Sequence, residues 1–140
     1  MIKLATKYAL FAGISIAGNL LVQRLCFFVY ETGVITLFIE YTIYIALFFG
    51  TGVGLVIKYI LDKFFIFYYQ VESKKEDFIK FMLYTLMGVF TTVIFWGTEL
   101  AFNYFFTFDS AKYIGGFIGL VIGYTTKYFL DKNFVFVKKV

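Results

Sequence analysis

Histidine is absent from this 140-residue chain, and cysteine occurs once, at Cys26. A soft or imidazole metal site draws on several such ligands, so zinc and haem centres are excluded and neither metal nor cofactor is expected. With no second cysteine, Cys26 has no partner for an internal disulfide, and in its apolar run it reads as a small hydrophobe. Charge is the third scarcity. Only 16% of residues are Asp, Glu, Lys or Arg, while 61% are hydrophobic and 24% aromatic, and the mean hydropathy is +0.84. A soluble domain carries about 25% charged residues. So little polar surface cannot cover a water-exposed globule, and the chain reads as an integral membrane protein. The net charge of +4 would suggest nucleic acid for a soluble protein. Here the lysines flank apolar spans, and membrane orientation explains them without a nucleic-acid partner.

What is present is a repeat. The stretch Gly50-x-x-x-Gly54-x-x-x-Lys58-Tyr59-x-Leu61-Asp62-Lys63-x-Phe65-x-Phe67 recurs sixty-nine positions on. The second copy is Gly119-x-x-x-Gly123-x-x-x-Lys127-Tyr128-x-Leu130-Asp131-Lys132-x-Phe134-x-Phe136. Internal repetition at fixed spacing sets the fold before any other signal. It predicts two equivalent halves, about 1–70 and about 75–140, within a single membrane domain. The front ends match more faintly, Thr6-Lys7-Tyr8 being echoed by Ile79-Lys80-Phe81.

Charges divide the chain into four apolar blocks, Tyr8–Gln23, Tyr41–Ile57, Phe81–Thr98 and Tyr113–Thr126. A spanning helix needs about 20 mostly apolar residues, and long charged side chains at its ends can snorkel, so each block predicts one transmembrane helix. Continuation of the first block through Cys26-Phe27-Phe28-Val29 argues against a cleaved signal peptide. Eleven of the 13 Lys and Arg residues fall on one side of this topology, and only Arg24 and Lys112 on the other. By the positive-inside rule both termini and the central loop, Gln70–Asp77, are cytosolic. The expected fold is therefore all-α and integral to the membrane: four transmembrane helices as two tandem two-helix repeats in parallel orientation.

Candidate functional residues gather at two depths. At the cytosolic helix ends stand Lys7, Lys58, Lys80 and Lys127, each followed by an aromatic: Tyr8, Tyr59, Phe81 and Tyr128. Ammonium groups at one depth suit a lipid phosphate. Snorkelling alone also accounts for them. Asp62-Lys63 and Asp131-Lys132 sit where the helices leave the membrane, with each Asp four residues beyond a repeat lysine and on the same helix face. Phe65, Phe67, Phe134 and Phe136 read as interfacial anchors. On the outer side Arg24, Glu40 and Glu99 form a second polar cluster. Ionisable residues within apolar sequence are costly and suggest either a site or an ion pair. Asn19, Gln23, Thr91, Thr92 and Asn103 add neutral polar groups. Gly50 and Gly54, with Ala46, and Gly119 and Gly123, with Gly115, make smooth ridges for helix packing, between the halves or between protomers. No nucleophile–base constellation is visible, so an enzyme is not expected.

At Lys58–Phe67 and Lys127–Phe136 the chain resembles the GtrA-like family, small four-helix membrane proteins whose helices end in an Asn-Arg-x-aromatic-x-Phe pattern. Asp62 and Asp131 stand here where Asn is usual, and Lys63 and Lys132 where Arg is usual. The resemblance implies translocation of a polyprenyl-phosphate sugar, such as undecaprenyl-phosphate glucose, across the bacterial cytoplasmic membrane for cell-wall or surface polysaccharide glycosylation. In that role Lys58 and Lys127, helped by Lys7 and Lys80, would meet the phosphate, and Tyr59 and Tyr128 would stack on the sugar or locate the headgroup. Asp62 with Lys63, and Asp131 with Lys132, would fix the helix ends or shape the headgroup site. The alternative is a scaffold that recruits a membrane glycosyltransferase. Four helices make a narrow bundle for transport, so a homo-oligomer is expected.

Overall fold

In the computed structural model residues 2–33 and 41–138 are described, Lys112 by its backbone alone. Glu40 lies outside the described residues, as does the side chain of Lys112. Among the described residues there are four α-helices and no strand: α1 (Ile2–Glu31), α2 (Thr42–Phe65), α3 (Lys74–Phe105) and α4 (Ala111–Leu130). A π-helical turn, Asp131–Val135, continues α4 directly. Three of the helices, α1, α2 and α3, are long and apolar enough to cross a membrane. Their outward faces carry large hydrophobics such as Leu20, Phe48, Leu86 and Trp96. A helix satisfies its own backbone hydrogen bonds, which is what a hydrocarbon environment demands. The all-helical architecture is compatible with a helical membrane protein.

The helices run well past the apolar blocks. Residues Lys74–Asp77, expected in the central loop, form the first turn of α3 instead. The cause is a local cap. The Ser73 hydroxyl accepts from the Glu76 backbone N–H at 3.1 Å, and the Glu76 carboxylate accepts from the Glu72 backbone N–H at 2.9 Å. The first bond satisfies an amide donor that an uncapped helix start leaves open, the second ties the preceding residue to the first turn, and Glu76 and Asp77 complement the helix dipole. At the other end of the first pair, α1 stops in a turn where Gly33 takes φ +69°, a left-handed backbone that glycine adopts without strain.

The chain divides into two compact units, Met1–Gln70 and Val71–Val140. The first is the hairpin of α1 and α2, the second that of α3, α4 and the π-helical turn. In each, the glycine ridge brings the two helices together. A Cβ at Gly50 would lie 2.8 Å from the Asn19 carbonyl oxygen and 2.7 Å from Gln23 Cγ, and one at Gly54 would lie 3.0 Å from the Ser15 carbonyl oxygen. Ala46, one turn before Gly50, is fully buried. In the second hairpin a Cβ at Gly115 would meet Phe102 Cγ at 2.9 Å, and one at Gly119 would meet the Phe95 carbonyl oxygen at 3.1 Å. The ridges are thus occupied inside their own hairpins, which corrects the expectation that they join the halves or separate protomers. Only small residues permit such backbone approach.

These contacts also fix the register of the repeat. Gly54 faces Ser15 and Gly50 faces Asn19, as Gly123 faces Thr91 and Gly119 faces Phe95. The second helices correspond at sixty-nine residues. The first helices correspond at seventy-six, from Ser15 to Thr91 and from Asn19 to Phe95. Tyr8 is therefore equivalent to Tyr84, and the pairing of Lys7-Tyr8 with Lys80-Phe81 is out of register by three residues.

Candidate functional site

Each repeat motif places its lysine one helical turn before its aspartate. In the first hairpin Lys58 Nζ donates to Asp62 Oδ2 at 2.5 Å, and in the second Lys127 Nζ donates to Asp131 Oδ2 in the same i, i+4 geometry. Both aspartates are fully buried, while the lysine side chains keep 13% and 11% of their surface. The first helix of each hairpin supplies a tyrosine ring against the ammonium. Lys58 Nζ stands 4.2 Å from the centre of the Tyr8 ring and Lys127 Nζ 3.4 Å from that of Tyr84. A cation within about 6 Å of an aromatic face is attracted by the ring quadrupole, and the more so when desolvated. Lysine, carboxylate and ring therefore form one buried unit, present once per hairpin.

The end of the motif closes this unit from below. The backbone N–H of Phe67 donates to the Asp62 carbonyl at 2.9 Å, and that of Phe136 donates to the Asp131 carbonyl at 2.7 Å. Each of these bonds spans five residues, one more than an α-helix allows, and turns the chain back onto the hairpin. Phe67 and Phe136 are consequently buried, at 8% and 3% exposure, and the Phe136 ring lies 6.1 Å from that of Tyr84. They are not interfacial anchors. Phe65 and Phe134 remain exposed.

The remaining candidates are placed as follows. Lys7 reaches from α1 to the end of α2, where its Nζ donates to the Phe65 carbonyl at 3.3 Å and to the Tyr68 hydroxyl at 3.1 Å. It thereby neutralises the negative end of the α2 dipole. Lys63 is buried beside the rings of Tyr59 and Phe64, 5.0 Å and 4.7 Å away. Tyr59 is itself 4% exposed, so its ring is held by Lys63 and presents no open face to a sugar. Tyr128 is half-buried with the exposed Lys132 at 5.8 Å, and Lys80 is half-buried. On the other side Arg24 is exposed on α1, and Glu99 is half-buried on α3 with its carboxyl carbon 3.9 Å from where a Gly116 Cβ would be. These two belong to different hairpins, and Glu40, the third member of that cluster, lies outside the described residues.

Tyr84 was not legible as a site residue. The signal was its equivalence to Tyr8, which the faint front-end match hides. Replacing Tyr84 by leucine is expected to lower thermal stability by about 0.5–2 kcal/mol from the lost cation–π contact, read as a shift in the unfolding midpoint of purified protein. Thr91 and Thr92 donate to the Gly88 carbonyl of their own helix, at 3.0 Å and 2.8 Å. Asn19 and Gln23 lie in the seam between α1 and α2, where Gln23 Nε2 donates to Asn19 Oδ1 at 2.7 Å.

Compared with protein-family models, with curated proteins and with solved structures, the chain matches none.

Proposed function

We propose that this protein is a flippase that moves a polyprenyl-phosphate-linked monosaccharide from the inner to the outer leaflet of the bacterial cytoplasmic membrane. The sugar lipid then serves cell-wall or surface polysaccharide glycosylation. On this reading all four helices span the bilayer, both termini and the segment between the hairpins face the cytosol, and the protein works as a homo-oligomer. Since the glycine ridges are occupied within the hairpins, the protomers meet through other faces. The reading rests on one observation above all. Each hairpin holds a cation, Lys58 or Lys127, at the end of an apolar helix pair, braced by a carboxylate and a tyrosine. An ammonium carries three donors, so pairing with one carboxylate does not by itself exhaust its capacity for a phosphate oxygen. The resemblance to GtrA-like proteins at these same residues supports the choice of ligand.

A second reading is favoured by the same pairs seen from the side of charge. Both lysines are neutralised and nine-tenths buried in place. A motif that satisfies its own charges suits a scaffold that holds a membrane glycosyltransferase without transporting lipid.

Liposomes containing the purified protein and a fluorescent short-chain polyprenyl-phosphate glucose separate the two. Transport should exceed that of empty liposomes. It should fall when Lys58→Met with Asp62→Leu, and Lys127→Met with Asp131→Leu, remove the charges without leaving one ion buried alone. Transport that survives these changes would discard the phosphate site. No transport, in folded protein that retains a glycosyltransferase on a column, would establish the scaffold.

A further inference from the structure

We infer that the first hairpin carries a hydrogen-bonding site for a polyhydroxyl headgroup, built from Asn19 and Gln23 on α1. The inference rests on the flippase reading for the lipid that bears this headgroup, and it adds the part of the protein that recognises the sugar. Both residues lie within a helix long and apolar enough to cross a membrane. Carboxamides there are costly unless they are bonded. Gln23 Nε2 donates to Asn19 Oδ1, and among the described residues no other group hydrogen-bonds either carboxamide. The pair keeps Asn19 Nδ2 as donor and Gln23 Oε1 as acceptor, the two functions a sugar hydroxyl matches at once.

Both side chains pack against Gly50, but packing does not require carboxamides there, because the second hairpin closes without the pair. There Phe95 stands at the place of Asn19 and Glu99 at that of Gln23. The Gly119 ridge nevertheless packs at 3.1 Å from the Phe95 carbonyl, much as the Gly50 ridge packs on that of Asn19. Of the polar side chains opposite the second ridge, Thr91 and Thr98 bond to their own helix, and Glu99 stands beside Gly115. A helix pair of this design closes without a carboxamide, so the first hairpin keeps two for another purpose. An apolar groove of about 410 Å³ lies between α1 and α2, with Val22, Cys26, Ile45, Phe49 and Val53 among its walls. Val22 and Phe49 are the chain neighbours of Gln23 and Gly50.

The test compares three fluorescent probes on purified protein in nanodiscs: short-chain polyprenyl-phosphate glucose, the same polyprenyl phosphate without sugar, and a short-chain alkyl glucoside without phosphate. Wild-type protein should bind the sugar phosphate more tightly than the bare phosphate. Asn19→Leu with Gln23→Leu should weaken binding of both glucose probes about tenfold, the loss of one or two ordinary hydrogen bonds, and leave the bare phosphate unchanged. Asn19→Phe, which copies Phe95, gives the same reading if the double variant fails to fold. A wild type that ignores the sugar, or variants that weaken all three probes alike, would overturn the inference and leave the flippase reading standing. Binding of the alkyl glucoside alone, lost in the variants, would keep the headgroup site and discard the phosphate-lipid reading. Binding of none of the probes would overturn both.

Discussion

Replacing Asp62 by alanine should lower the stability of the protein by about 3–5 kcal/mol, and Asp131→Ala should do the same, read from thermal or denaturant unfolding in detergent. The aspartates are fully buried and their lysines nearly so. Removing a carboxylate leaves an ammonium pressed against Tyr8 or Tyr84 with no anion to balance it, and the ring alone offsets only part of the desolvation. Lys58→Met with Asp62→Leu should recover most of the loss, because an apolar pair of similar volume avoids burying an ion. The back-folded tail is held by the Asp62 main-chain carbonyl, not its side chain, and should persist in every one of these variants. A single variant as stable as the wild type would show that these charges are not buried partners.

Leucine at Gly50 should cost about 1–3 kcal/mol, or more if the helices must part, again read from the unfolding midpoint. Its Cβ would fall on the Asn19 carbonyl oxygen, an atom of the helix backbone that cannot swing aside as a side-chain tip does. Leucine at Gly52, two residues on, is the control. Nothing lies within 4 Å of that position, so the substitution should be neutral or slightly stabilising through helix propensity. Equal effects at the two glycines would remove the close approach of α1 and α2 from the account of the fold.

The motif carrying both repeat lysines was readable because charged residues at fixed spacing survive inspection without any knowledge of packing. So were the apolar helices, since composition and length alone decide them. The partner of a glycine ridge was not readable. A smooth stripe says that something comes close, and only the folded chain says that it is the helix next door, through Ser15 and Asn19. The fate of Phe67 and Phe136 was hidden for a different reason. Alternating aromatics after a helix suggest an extended anchor, and the five-residue hydrogen bond that buries one of each pair leaves no mark in the residue pattern. Tyr8 and Tyr84 were obscured by the register of the first helices, which a match of basic and aromatic residues placed three positions off.

That register has a consequence for how the molecule can change. Counted from the lysine end, the two hairpins agree contact by contact as far as Gly50 on Asn19 and Gly119 on Phe95. Beyond those contacts the first hairpin has seven more residues than the second before its chain returns. The two hairpins differ in length at the tip and agree along the stem. The tips are therefore the places to graft a reporter or an affinity handle, and the lysine ends are the places to leave untouched.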